Sequence, residues 1–341
     1  MATAPQSTNV SMTTQRRYHY LHVALELLKS YGIITAFIVL CVVLSIVSDY
    51  FLELQNILNI LRQTSINGIL AIGMTFVILT RGIDLSVGSV AALAGIVAAS
   101  FATTSSIAGM PGAPYWAVFA TVIGILTGMV AGGLSGTVVS RFRVPPFVVT
   151  LGMLSIARGL TLLYSGGLPV PDLTPRFRWI GTGEFFRIPI PIFVLLGVFA
   201  VSWWVLGRTR FGRHVYATGG NPRAATTSGI SVGRVRLLVY VISGGLAGLA
   251  GIILAARTGS GLPQAGISYE LDAIAAVVIG GTSLSGGIGG VTGTLFGALI
   301  IGVMNNGLDL LGVDSNYQQI FKGLMIVGAV MLDSTRRADS H

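Results

Sequence analysis

Charge is scarce in this sequence: Asp, Glu, Lys and Arg make up 10% of its 341 residues, where a soluble domain carries about 25%. A surface so poor in charge is not covered mainly by water, which excludes an ordinary soluble enzyme. Lysine is almost missing. Lys29 and Lys322 are the only two, and neither follows a G-x-x-x-x-G run, so no loop here can cradle a nucleotide's phosphates. The single cysteine, Cys41, sits in an apolar stretch, which excludes an intrachain disulfide and a cysteine-built metal cluster. There is no His–Glu zinc pattern and no serine nucleophile elbow, and all four histidines fall in polar segments. The expectation is no catalytic residue, no metal and no cofactor.

What the chain does have is apolar length. Hydrophobic residues make up 52% of it, mean hydropathy is +0.80, and there are 46 glycines. So much glycine would weaken helices in water. In a bilayer, where backbone groups must bond internally, helices persist and glycine lets them pack closely. The expected fold class is therefore all-α: a polytopic membrane protein of about ten transmembrane helices, some short or broken. The expected spans lie near 31–48, 64–80, 86–107, 115–140, 147–165, 188–206, 236–256, 270–283, 290–311 and 317–332. The second and eighth are short for a span of about 20 residues, so each is expected to be broken or completed by polar flanks such as Gln63, Thr64, Ser65 and Asn67. The first apolar run follows Arg16, Arg17 and Lys29 without a small-residue cleavage site, which reads as a retained helix.

The net charge of +9 is spread between apolar runs rather than along one face, which argues against nucleic acid. Segments 1–30, 141–146, 207–236 and 333–341 hold 13 Lys and Arg, against 5 in 48–63, 166–187 and 257–269. The positive-inside rule then puts both termini and the 207–236 loop in the cytoplasm. The domain reading is a cytoplasmic tail over 1–30, a transmembrane body over 31–332 and a second tail over 333–341. Leu85–Ser89 and Leu284–Gly287 echo one another as Gly/Ser interruptions between apolar runs, and inverted repeats are common in transporters.

Ionisable groups at membrane depth are few. Arg81 and Asp84 flank the break after the second span, and three residues apart they can pair if that segment is helical. The favoured reading is a structural ion pair tying a loop between helices; the alternative is a gate or path lining. Asn67, Asn305 and Asn306 are further pathway or structural candidates. In the 207–236 loop, Asn221 suits a helix N-cap, Pro222 the first helical position and Gly229 a left-handed stop. Gly220, Asn221, Pro222, Ala224, Ala225, Ser228, Gly229 and Ile230 thus outline a short capped helix with a small-residue face. It suits a plug for the groove of another protein, or is an ordinary connection between spans.

The stretch Tyr216-Ala-Thr-Gly-Gly-Asn-Pro-Arg-Ala-Ala-Thr-Thr-Ser-Gly-Ile230 resembles the ATPase-docking loop of permeases in the ribose/xylose/galactose class of ATP-binding-cassette sugar importers. Ala71–Ser89 resembles their second and third spans, Tyr269–Gly287 the eighth, and Asn305–Val313 the end of the ninth. The similarity covers roughly 50–333; Arg81 departs from it, standing where a small polar residue is expected. The resemblance implies a bacterial inner-membrane permease that moves a monosaccharide, ribose favoured, into the cytoplasm by alternating access. It implies as partners a separate ATPase subunit, a periplasmic or lipid-anchored sugar-binding protein and a second permease copy, all within membrane lipid. The rival reading is an ion-coupled secondary sugar carrier, which needs an ionisable group at the membrane midplane.

Overall fold

Long apolar runs without water leave the backbone only its own hydrogen bonds, and the chain answers with helix almost throughout. The computed structural model describes residues 32–105 and 116–338. The polar N-terminal tail expected over 1–30 lies outside the described residues. In chain order the helices are α1 (Gly32–Val47), α2 (Leu54–Leu79), α3 (Val87–Ser100), α4 (Ala117–Arg141), α5 (Pro146–Ser165), α6 (Pro175–Thr182), α7 (Ile190–Arg208), α8 (Arg210–Gly220), α9 (Pro222–Thr227), α10 (Val232–Thr258), α11 (Tyr269–Ile279), α12 (Val291–Leu310) and α13 (Ser315–Ala338). A hairpin of two-residue strands, β1 (Glu184–Phe185) and β2 (Ile188–Pro189), is the only sheet among the described residues.

Ten of these helices coincide with the ten expected spans. Six of them, α2, α4, α5, α7, α10 and α12, are both long and apolar enough to cross a bilayer. Three boundaries differ. Helix α2 starts ten residues earlier than its apolar run, at Leu54, and Thr64, Ser65 and Asn67 lie buried within it. Helix α3 stops at Ser100, where the chain turns and Thr103 donates to the Pro171 carbonyl at 2.5 Å. Helix α13 runs to Ala338, into the stretch expected as a tail.

Helices α2 and α10 form the centre, and α4, α5 and α7 turn mostly exposed apolar surfaces outward. Helices α4 and α10 touch backbone to backbone: a Cβ on Gly128 would strike the Gly244 carbonyl oxygen, and one on Gly244 would strike that of Gly128. Larger side chains there would force the two axes apart, so the glycine excess is spent on this contact.

Two interruptions shape the interior. Residues 80–86 separate α2 from the 14-residue α3, and residues 259–268 separate α10 from the 11-residue α11. The two short helices start beside each other, with the Gly88 and Gly266 backbones in contact, and run apart to opposite ends of the molecule. Helix α3 ends against the 166–189 segment, where Thr103 bridges Leu173 and Val170 bridges Gly261. Helix α11 leads into the 280–290 turn at the end that holds α8 and α9. The break that answers 80–86 is therefore 259–268; Leu284–Gly287, the expected echo, lies in that turn instead.

Candidate functional site

The short helix expected after Gly220 forms as α9. The Asn221 side-chain oxygen accepts from the N–H groups of Arg223 and Ala224, at 3.1 and 3.0 Å, and Pro222 takes the first helical position. At the other end Gly229 is left-handed, with φ +82°. Its N–H donates to Thr226 and that of Ile230 to Ala225, both at 3.0 Å. Both ends are thus satisfied locally, and six residues hold a helix that length alone would not sustain.

The helix turns two unlike faces. Arg223, Ala224, Thr226, Thr227, Ser228 and Gly229 are exposed, with Pro222 and Ile230 half-buried. Ala225 is 4% exposed and packs inward, which corrects its expected place on the outward small-residue face. At a rotation of about 100° per residue, Ala224 and Ala225 cannot share a face.

The loop holds a second helix that the sequence reading missed. Thr209 caps α8 by accepting from Gly212 N–H at 3.1 Å. Val215, Thr218 and Gly219 are buried, with Phe211 half-buried. Phe211, Val215 and Thr218 recur at helical spacing after a good cap, and that was the available signal. Tyr216 of α8 donates to the Gly289 carbonyl at 2.9 Å. Burial pushes the pKa of its phenol above the usual tyrosine range, so it stays a donor.

Arg81 and Asp84 are not partners. Arg81 follows the α2 C-cap in a left-handed conformation, φ +65°, so the segment is not helical and spacing by three does not bring the side chains together. The Arg81 Nε and a terminal NH2 each donate at 2.6 Å, to the carbonyls of Gly219 and Gly220. Asp84, 2% exposed, instead accepts from the Ser86 hydroxyl at 2.6 Å, the Ser86 N–H at 3.1 Å and the Ser243 hydroxyl at 2.9 Å. It therefore ties the start of α3 to α10. The Ile83 carbonyl beside it accepts from Thr150 of α5 at 3.1 Å and, more loosely, from Tyr240 of α10 at 3.4 Å.

The remaining candidates sit on α2 and α12. Asn306 exchanges two hydrogen bonds with Asn56, at 2.8 and 3.1 Å, so it clamps the start of α2 to the end of α12. Asn56 was not foreseen, because one polar residue near a span end carries no distinguishing signal. Asn67 and Asn305 are buried, and the Asn305 side-chain oxygen has no partner among the described residues. No bond joins Asn67 to Asn305. The 259–268 break is held by Arg158 of α5, which donates to the carbonyls of Pro263 at 2.5 Å and Ala265 at 3.0 Å. Asp272 of α11 pairs with Lys322 of α13 at 3.0 Å.

Among the described residues no group of acidic, histidine or cysteine side chains could hold a metal ion. What the arrangement can do is mechanical. A capped surface helix is joined, through α8, to a break in the helices that meet inside the protein.

Comparison with known proteins agrees with the sequence resemblance. The chain matches the family described as the permease component of the branched-chain amino acid transport system over residues 56–330. It is 48% identical to a ribose import permease protein of Haemophilus influenzae over 303 residues, 88% of this chain and 91% of that one. It is 46% identical to the ribose import permease protein of Bacillus subtilis over 333 residues, 97% of this chain and 99% of its relative. The D-allose transport system permease protein of Escherichia coli is 40% identical over 85% of this chain and 86% of its own. No solved structure gives a significant match. With its all-helical body, its apolar spans and relatives named as permeases along most of their length, this chain belongs to that family of transport-system permease components, as a multi-pass membrane protein and not an enzyme.

Proposed function

We propose that this chain is the membrane-spanning subunit of an ATP-driven ribose importer, with ATP hydrolysed on a separate subunit docked at α9. The observation that carries the reading is 46% identity to a ribose import permease along 97% of this chain. The family description names branched-chain amino acids, but the relatives at 40–48% identity named above are called ribose and allose permeases. A monosaccharide is therefore favoured. The geometry at Asp84 does not favour an ion-coupled carrier: the carboxylate accepts three hydrogen bonds from fixed donors and is poorly placed to load and unload a proton.

In this reading two permease copies enclose the path, and a sugar-binding protein delivers cargo to the face formed by the 166–189 segment. Both termini and the α8–α9 loop are cytoplasmic, in a bacterial inner membrane. The transmembrane body spans 31–332, between the two tails. The exposed face of α9 is what the ATPase grips, and the inward Ala225 only seats the helix. The side assignment is checked by labelling: Thr226→Cys should react from the cytoplasmic side and Asp172→Cys from outside. The function is checked by reconstituting the chain with an ATPase subunit and a sugar-binding protein of its own system. Labelled ribose should accumulate with ATP and fail to accumulate with a proton gradient alone. Uptake driven by the gradient without ATP would overturn the importer in favour of the carrier. Arg223→Glu, on the exposed face, should insert normally and lose both the ATPase and uptake.

A further inference from the structure

The Arg81 side chain crosses between two segments far apart in sequence. Its fork caps successive carbonyls, Gly219 and Gly220, both at 2.6 Å. These are among the last carbonyls of α8, which have no partner within the helix, and a cation is electrostatically favoured there. The next residue, Asn221, is the N-cap of α9. On the other side of Arg81 the chain runs through Gly82 and Ile83 to Asp84, which holds α3 to α10. One side chain therefore stands between the docking helix and the break inside the membrane.

The surroundings are built for this contact. Gly219 lies so close to the α2 end that a Cβ would strike the Leu79 carbonyl oxygen and the Gly287 N–H. The Gly287 N–H donates to that same Leu79 carbonyl at 3.0 Å. Gly286 lies against the stem of Arg81, where a Cβ would meet its Cγ at 2.6 Å, and Tyr216 bonds Gly289 in the same turn. The ends of α2 and α8 and the 283–290 turn thus form one packed junction, and Arg81 donates both of its bonds across it.

We infer that Arg81 is a positioning residue for transport, a guanidinium latch that carries displacement of α8–α9 to the 80–86 break and so to the start of α3. The inference rests on the docking role proposed for α9. A planar fork is required because two carbonyls must be held at once; a lysine reaches one of them without fixing direction. The latch acts through these backbone carbonyls, touches no cargo, and concerns how much transport each ATP yields rather than whether the ATPase binds.

The test uses the full complex in proteoliposomes with its binding protein, measuring labelled ribose uptake and ATP hydrolysis in one sample. Arg81→Asn is the informative variant, because asparagine tolerates the left-handed backbone yet is too short to reach α8. Arg81→Lys keeps charge and one bond. Arg81→Asn should retain the ATPase on co-purification while sugar moved per ATP falls about fivefold or more, with Arg81→Lys between it and the wild type. A wild-type ratio in Arg81→Asn overturns the latch. So does a loss of folded protein in Arg81→Asn matched by an unchanged ratio in Arg81→Lys, since the role is then structural. Failure of the docking reading is seen separately: Arg223→Glu would keep the ATPase and uptake at normal levels.

Discussion

The two interruptions in the helices solve one problem with opposite chemistry. Both leave buried stretches of irregular backbone whose polar groups need partners from the protein. In the 80–86 break a buried carboxylate, Asp84, accepts from the N–H and hydroxyl of Ser86 and from the hydroxyl of Ser243 on α10, while the Ile83 carbonyl accepts from Thr150. In the 259–268 break the stray groups are acceptors, the carbonyls of Pro263 and Ala265, and a guanidinium, Arg158, donates to them. Helix α5 reaches both breaks, through Thr150 and Arg158, but the first is further tied through Arg81 to the α8–α9 surface, whereas the second is tied at Gly261 to the 166–189 segment. At these two breaks charge serves the backbone, whereas Asp272 pairs with the side chain of Lys322. A group held in this way at a break is unlike the titrating group of an ion-coupled carrier, which must be free to change state.

The sharpest way to break the comparison is at Asp84. Asp84→Ala removes the acceptor of three donors in an enclosed site, and a loss of about 3 kcal/mol is expected, read as a fall in thermal stability in detergent. Removing Arg81 as well should bring no relief, because the two are not an ion pair; a milder double variant would restore that pairing. Asp84→Asn, which keeps one oxygen, should lie between alanine and wild type.

Arg158→Ala is expected to cost less, about 2 kcal/mol, since two carbonyls lose a donor but the residue is only half-buried. Arg158→Lys should recover part of the loss. A larger loss than that of Asp84→Ala in the same assay would reverse the ranking of the two breaks.

The smallest effect is expected from Tyr216→Phe, which removes one bond from α8 to the 280–290 turn, about 1 kcal/mol. The raised pKa of this phenol keeps its proton in place through ordinary working pH. The difference between Tyr216→Phe and wild type should therefore not vary between about pH 6 and pH 8. A difference that varies within that range would mean that a group other than this phenol governs the contact.

The sequence by itself determined the class of molecule and the approximate place of ten helices. Apolar length and glycine content are one-dimensional signals, and a bilayer leaves helix as the only broad way to satisfy them. It also determined α9, because Asn221, Pro222 and Gly229 act on their own neighbours and need no tertiary help. The role of Arg81 was decided elsewhere. Spacing by three suggested Asp84, yet its partners are Gly219 and Gly220, 138 and 139 residues away. Likewise the inward turn of Ala225, the Asn56–Asn306 clamp and the meeting of Gly88 with Gly266 depend on which helix lies beside which. Local hydrogen bonding and hydropathy are written along the chain. The partner of a long side chain is chosen by packing, which brings together residues that sequence distance keeps apart.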